Sequence, residues 1–547
     1  MSSAASTAAG PSLAAAGAGR STPVARAPVN KWLVTLSVTF GTLMGAIDTS
    51  IVAVATPHLT GTLGATVEEM TWVTTGFVIA TVVVMPLTAF LGRFFGQKRV
   101  YLFCLGLFVV GSALCGLARS LPTMVACRAL QGLGAGALQP TEQAILRQTF
   151  PPEEQGMAMA LFGLAVVVGP AAGPALGGYI LDNFAWPWIF YINLPIGLLG
   201  IFMVSRFVHE PDDIRRENHA RAAIQRKNLD WQGIVLMTVG LASLQYVLEE
   251  GSRADWFESQ AIAVTSFVAV FVLAGFVIRE LTAPVPAVDL SLFKDRVFLS
   301  GTVIGAMMFA ILMSITFLLP LFMQQLLGFP ALDSGVALMP RALAMMIGIP
   351  VVGRLYNRVA PRVLVIIGVA LVAVSAMLMS RYTLATSARS VVFAIVIQGF
   401  GFASLFVPLT TVALAGIPRF RLTDATGLNS LLRQIGGSLG LAAFATLLPH
   451  FVATARAGLA THVDPGRPEV MARLQRLQSG LVARGLSPTG ARESALRILD
   501  GTLGQQAALL AFERMFLVAG LAFLLVIPLA LFLRRPAGAP KAKVDLH

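Results

Sequence analysis

From residue 33 onward the chain is a succession of apolar runs, each near twenty residues long and separated by short polar segments. About twenty apolar residues in a helix cross the hydrocarbon core of a bilayer, and in lipid every backbone polar group must be satisfied within the segment. That constraint leaves helices as the only spanning element for runs of this length. The runs fall near 33–57, 70–91, 100–118, 122–146, 157–181, 187–208, 231–249, 261–280, 298–320, 334–355, 362–380, 390–415, 427–449 and 514–533. Charged residues make up 12% of the chain, against about 25% in a soluble domain, and apolar residues 56%. The reading is an all-α integral membrane protein of fourteen spans.

The net charge of +13 sits mainly between the runs. Arg93, Lys98 and Arg99, then Arg147, then Arg215, Arg216, Arg221, Arg226 and Lys227, fall on alternate turns, as do Lys294, Arg296, Arg354, Arg358, Arg362, Arg419 and Arg421. The intervening turns carry few basic residues, so the bias predicts those segments and both termini on the cytoplasmic side. Basic charge spread in this way does not point to nucleic acid. Cys104, Cys115 and Cys127 have no paired spacing, and neither a disulfide framework nor a metal site is expected. No phosphate-binding loop or catalytic triad spacing is present, which argues against an ATP-driven pump or an enzyme.

The loops GRFFGQKR (residues 92–99) and GRLYNRVAPR (353–362) occupy matching positions, after the second and the tenth spans. They predict two related halves of six helices, as in alternating-access transporters with a mid-membrane site between the halves. The expected organisation is a disordered tail 1–31, a six-helix bundle 32–208, a cytoplasmic linker 209–230 and two additional helices 231–281. A second six-helix bundle 297–533 follows, with a long periplasmic amphipathic segment 450–513, and then a tail 534–547.

Three polar sets stand inside the spans. Asp48 lies deep in the first, where a charge costs about 2.5–3.5 kcal/mol, which points to a proton-binding acid. The fourth span contributes Arg128, Gln131 and Glu142; Arg128 and Gln131 share a face at a three-residue step. Arg341 and Arg433 are the basic residues of the later spans, open to a packing, gating or cavity role; Phe309 and Phe317 are apolar cavity candidates. In the fifth span Ala165, Gly169, Gly173 and Gly177 recur every four residues, with Pro170 and Pro174 between them and Gly178 beside. Such a stripe admits a second helix at close range.

These residues together resemble the major facilitator superfamily, and within it the fourteen-helix drug:proton antiporters of the EmrB/QacA type. IDTSIVAVATPHL resembles the first-helix signature LDxTxxNVALP, with Asp48 at its acid; RALQGLGAGALQP resembles the fourth-helix signature. VVVGPAAGPALGGYI resembles the fifth-helix antiporter signature, carrying Gly169, Pro170, Gly173, Pro174, Gly177 and Gly178, and WPWIFYINLPIG resembles the run that follows it, with Asn193 in place. The gating loop, by contrast, has Gly92, Arg93, Gly96, Lys98 and Arg99, with Arg93 where the superfamily pattern has Asp, which puts an Asp-mediated lock in question. The resemblance implies the major facilitator fold and export of hydrophobic or amphipathic compounds from the inner membrane. It implies proton coupling, with Asp48 at the membrane-embedded acid and Arg128 at the fourth-helix Arg, no cofactor, and, in a Gram-negative host, a periplasmic adaptor with an outer-membrane channel. Glu142, about three turns beyond Gln131, is open to a proton-coupling, a cation-binding or an interfacial-carboxylate role. A dedicated exporter of one endogenous metabolite and a scaffold for a periplasmic secretion partner are the alternative readings.

Overall fold

The computed structural model describes residues 30–211, 214–218, 222, 229–356, 358–464 and 466–533, without the side chains of residues 67, 152, 170, 171, 331 and 332. Nearly all of the expected tails and half of the linker therefore lie outside the described residues. Among the described residues there is no strand, and thirteen helices are long and apolar enough to cross a membrane.

A further helix, α4 (Leu121–Thr149), is 29 residues long but too polar to count with them. At 1.5 Å per residue it reaches about 43 Å, ample for a bilayer. Its polarity comes from Arg128, Gln131, Thr141, Glu142, Gln143, Arg147 and Gln148, all of them buried. Glycines admit the helix to the interior. A Cβ on Gly132 would stand 3.0 Å from Ala80 Cβ, and one on Gly134 would stand 2.6 Å from the Phe108 amide nitrogen. The helix is thus wedged between α2 (Val67–Phe95) and α3 (Gln97–Leu117), and its polar residues meet protein rather than lipid.

Local chemistry sets the helix ends. Asn30 caps α1 (Lys31–Leu63) by accepting from the Trp32 amide at 3.1 Å, and Gly64 closes it at φ +62°, where glycine pays no Cβ penalty. Thr66 and Glu69 form a reciprocal capping box on α2. A second left-handed glycine, Gly96 at φ +88°, turns α2 into α3. The series continues with α5 (Gln155–Asn183), α6 (Trp188–Phe207), α7 (Trp231–Glu250), α8 (Gln260–Thr282), α9 (Arg296–Gln325), α10 (Ala331–Leu355), α11 (Pro361–Met379), α12 (Ala388–Val412) and α13 (Leu422–Ala460). Two more, α14 (Pro468–Val482) and α15 (Pro488–Leu524), complete it.

Helices α1–α6 pack mainly on one another, as do α9–α13 and α15. The two groups meet where α5 crosses α10 and α2 crosses α13. At the first crossing Gly156 and Gly353 face each other; a Cβ on either would stand within 3.2 Å of the other's carbonyl oxygen. The α7–α8 pair touches both groups. Glu250 accepts from Thr71 at 3.2 Å and Thr75 at 2.9 Å on α2, while Gln245 donates to Ser438 of α13 at 2.7 Å. In the turn that follows, Asp255 and Trp256 adopt φ of 51° and 54°, a strained geometry for side-chain-bearing residues. The Trp256 indole donates to Thr446 of α13 at 2.8 Å and holds that turn against the second group.

Beyond the membrane-length core, α13 and α15 project past the predicted spans 427–449 and 514–533. Their extensions are joined by Arg456 to Asp500 at 2.7 Å, with α14 packed along α15.

Candidate functional site

Asp48 sits 17 residues into α1 and is fully buried. Its Oδ2 accepts from Arg128 Nη1 at 2.5 Å. Its Oδ1 accepts from Gln131 Nε2 at 2.8 Å and from Asn193 Nδ2 at 2.9 Å. Arg128 is also fully buried; the same Nη1 donates to Gln131 at 2.7 Å, and its Nε donates to the Val73 carbonyl at 3.3 Å. The guanidinium lies 4.2 Å from the centroid of the Phe77 ring, a desolvated cation–π contact. Asn193 is steadied in turn by Ser112, whose Oγ accepts from it at 3.0 Å. Three helices, α1, α4 and α6, therefore meet at one carboxylate, and every group touching it is a donor. In this arrangement the carboxylate has no acceptor to which it could offer a proton, so the cage fits its ionised form.

Glu142 is built differently. Although it too is fully buried, its partners are the hydroxyls of Thr39, at 3.1 Å, and Thr42. A hydroxyl either donates to a carboxylate or accepts from a carboxylic acid, so this pair serves both protonation states. Fourteen residues separate Glu142 from Arg128 along α4, about 21 Å, and the structure does not bring the two together.

The small-residue face of α5 lies on α1, within its own group of helices, beside the residues that flank Asp48. A Cβ on Gly169 would stand 2.8 Å from the Ala46 carbonyl carbon and 2.9 Å from the Ile47 nitrogen. One on Gly173 would stand 2.6 Å from Ser50 Cβ, whereas Gly177 has ordinary room at 3.6 Å from Ile51. Ser50 Oγ lies within 3.2 Å of the Gly169 carbonyl and shares its one proton between that oxygen and the Ala46 and Ile47 carbonyls of its own helix. Gly178 faces open space and does not belong to the tight face. Pro174 is half-buried; the side chain of Pro170 lies outside the described residues.

At the predicted cytoplasmic end the loop residues reach across to the second group. Arg93 Nη1 meets Asp424 Oδ1 of α13 at 2.7 Å, with side-chain exposures of 8% and 3%, and Arg93 Nη2 donates to the Ala287 carbonyl at 3.2 Å. Gln97 donates to Thr423 at 2.7 Å. A carboxylate ion pair is present at this loop after all, with the polarity reversed from the superfamily pattern: the acid comes from α13 and the loop supplies the cation. Helix dipoles favour this arrangement, because Arg93 lies in the last turn of α2 and Asp424 in the first turn of α13; cations are favoured at helix C-termini and anions at N-termini. Gly92 lies against Gln97 and Thr423, and Gly96 approaches Glu210. Lys98 donates to the Ser205 carbonyl at 2.7 Å, while Arg99 is exposed. Nearby, outside the spans, burial drives the Asp289 carboxyl up, but its bonds to Ser291 and to the Arg421 guanidinium together hold it below the ordinary carboxylate range.

Of the remaining candidates, Gln131 is taken up in the Asp48 cage. The Arg433 guanidinium lies 5.0 Å from the Phe309 ring centroid. Arg341 on α10 and Phe317 on α9 are half-buried and belong to neither the Asp48 cage nor the loop ion pair. Sequence reasoning assigned no role to Ser112, Asn193, Thr39, Thr42, Phe406 or Asp424. Among the described residues no group of three or more His, Cys, Asp and Glu is placed to hold a metal ion.

Comparison with known proteins adds the following. Residues 38–441 match the family model described as Major Facilitator Superfamily. The fatty acid resistance protein FarB of Neisseria gonorrhoeae is 33% identical over 503 residues, covering 92% of this chain and 96% of FarB. The multidrug export protein EmrB of Escherichia coli is 32% identical over 509 residues, covering 93% and 96%. Among solved structures, the proton:xylose symporter XylE superposes with a TM-score of 0.56 at 13% identity, covering 91% of this chain and 96% of XylE. The human organic anion transporter TETRAN superposes with the same score at 16% identity, covering 90% and 99%; both likenesses speak for the fold alone.

Proposed function

This chain belongs to the major facilitator superfamily, among its EmrB/QacA-type exporters, and from that premise we propose a proton-coupled antiporter that expels hydrophobic or amphipathic compounds by alternating access. The coarser statement needs no proposal: it is a multi-span membrane efflux transporter and not an enzyme. The two groups of helices are taken as the halves that rock, with 231–281 inserted between them and both termini in the cytoplasm. The extensions of α13 and α15, with α14, are the surface offered to a periplasmic adaptor that leads to an outer-membrane channel.

The observation that carries the coupling is the contrast between the two buried acids. Asp48 is held by donors alone, so it takes up a proton only when a conformational change parts it from Arg128. Glu142, held by hydroxyls, fits the same surroundings with or without a proton. Proton entry at one acid and release at the other is thereby tied to the positions of α1 and α4. The driving force suffices: at 100 mV and one pH unit a proton releases about 3.7 kcal/mol, enough for roughly several-hundred-fold accumulation.

The test is substrate-driven proton release from liposomes, read with an internal pH dye across a panel of cationic, neutral and anionic amphiphiles. Asp48→Asn and Glu142→Gln are expected to abolish it. Export that continues undiminished with the proton gradient collapsed, or that neither substitution alters, refutes the coupling.

A further inference from the structure

The second group of helices holds a buried cation that the coupling scheme leaves unused. Arg433 of α13 is 4% exposed, its Nε and Nη1 have no hydrogen-bond partner, and no carboxylate lies within 4.0 Å of it among the described residues. Its guanidinium lies against two rings, Phe309 of α9 at 5.0 Å and Phe406 of α12 at 5.8 Å. One turn back along α13, the amide nitrogen of Asn429 is also buried and unpartnered. Across from both stands Gly305 of α9, where a Cβ would lie 3.6 Å from Arg433 Cγ and Cδ and 4.0 Å from Asn429 Oδ1. Unpartnered buried polar atoms also occur on α10 and α12: Arg341 has an unpartnered Nη1, and neither polar atom of the Gln398 side chain is bonded.

In the first group of helices Arg128 has its own acid, Asp48, and buried Arg147 is held by the Thr411 carbonyl at 2.9 Å. The second group supplies no acid to Arg433. An uncompensated guanidinium in a low-dielectric interior is costly, and its planar fork of donors matches a carboxylate bidentately. Donors from Arg433 and Asn429 converge from one helix face, while two aromatic rings offer apolar surface at the same place. That combination recognises a molecule with an anionic head and a hydrocarbon body.

We propose that Arg433, with Asn429, Phe309 and Phe406, binds the anionic head group of an amphipathic cargo. The direction in which such a cargo travels rests on the export reading; the binding does not.

The test uses the full-length protein in nanodiscs, with equilibrium binding of radiolabelled dodecanoate measured at neutral pH against protein-free discs as the blank. Dodecanoate is expected to bind, and neither dodecanol nor dodecyltrimethylammonium at equal concentration should displace it. Arg433→Gln should weaken binding about tenfold or more, the scale of a lost charge-assisted hydrogen bond, with Arg433→Lys intermediate. Dodecanol competing as well as unlabelled dodecanoate overturns the proposal, and this comparison needs no variant to fold. Wild-type affinity in a folded Arg433→Gln overturns it equally. Binding without gradient-driven export would sink the antiport reading and leave this site standing; export of an uncharged dye without dodecanoate binding would do the reverse.

Discussion

Removing the acid of the loop ion pair, Asp424→Ala, should open the predicted cytoplasmic end of the molecule. The pair is 2.7 Å apart and nearly solvent-free on both sides, and deleting one partner of such a pair costs about 3–5 kcal/mol because the other charge stays buried. Here the protein has an escape from that cost. Parting α2 from α13 returns Arg93 to water, so the penalty becomes a shift toward the open state of about 10²- to several-10³-fold. Charge reversal, Arg93→Asp with Asp424→Arg, re-forms a pair but sets each charge against its helix dipole, at about 0.3–1 kcal/mol apiece. The double variant should therefore lie between the wild type and the single variant. Ser430 reports the opening: it is 3% exposed and accepts from Gln143 of α4 at 3.4 Å, across the boundary between the groups. With Cys104, Cys115 and Cys127 replaced, the maleimide labelling rate of Ser430→Cys in nanodiscs measures the open fraction. Labelling in Asp424→Ala within about threefold of wild type, or a reversed pair as fast as the single variant, would refute the argument from burial.

Two smaller predictions follow from packing and charge. Gly173→Ala places a methyl 2.6 Å from Ser50 Cβ and should cost about 1–3 kcal/mol, whereas Gly178→Ala, five residues on and facing open space, should leave the melting temperature of the purified protein unchanged. Asp289 has its carboxyl held below the ordinary range, so the stability it contributes is present above about pH 4 and is lost as acid titrates it. Asp289→Asn should accordingly lower the melting temperature at neutral pH, a loss of about 1 kcal/mol or less for a half-exposed pair, with the difference shrinking as the pH falls below about 4 and the lowered carboxyl titrates.

What the sequence made legible was local. Apolar runs give the helices, and the three-residue step from Arg128 to Gln131 puts both on the face that meets Asp48. The four-residue spacing of Gly169 and Gly173 announces a close approach. The identity of the approaching helix was not in that spacing, and it is α1 of the same group. Nor did any periodicity join Asp48 to Asn193, 145 positions away, or Arg93 to Asp424, 331 positions away; such pairs exist only once the helices are assembled. The fourth span was readable as membrane-length, yet too polar for a lone helix in lipid, because its polar side chains are satisfied by neighbours that a linear pattern does not contain. Likewise the last two spans stop in the sequence reading where apolarity stops, while the helices run on through Pro449 to Ala460 and begin already at Pro488.

The inserted helix α7 grips α2 through Glu250 and α13 through Gln245, so no swing that separates those two helices at that end can leave it undisturbed. Its grips on Thr71, Thr75 and Ser438 are carboxylate–hydroxyl and amide–hydroxyl bonds, which water or a neighbouring hydroxyl can replace one at a time. Under the proposed alternating access, a bracket fastened in this way would slip instead of latching, keeping the two sides in register without adding a catch that the stroke must first break.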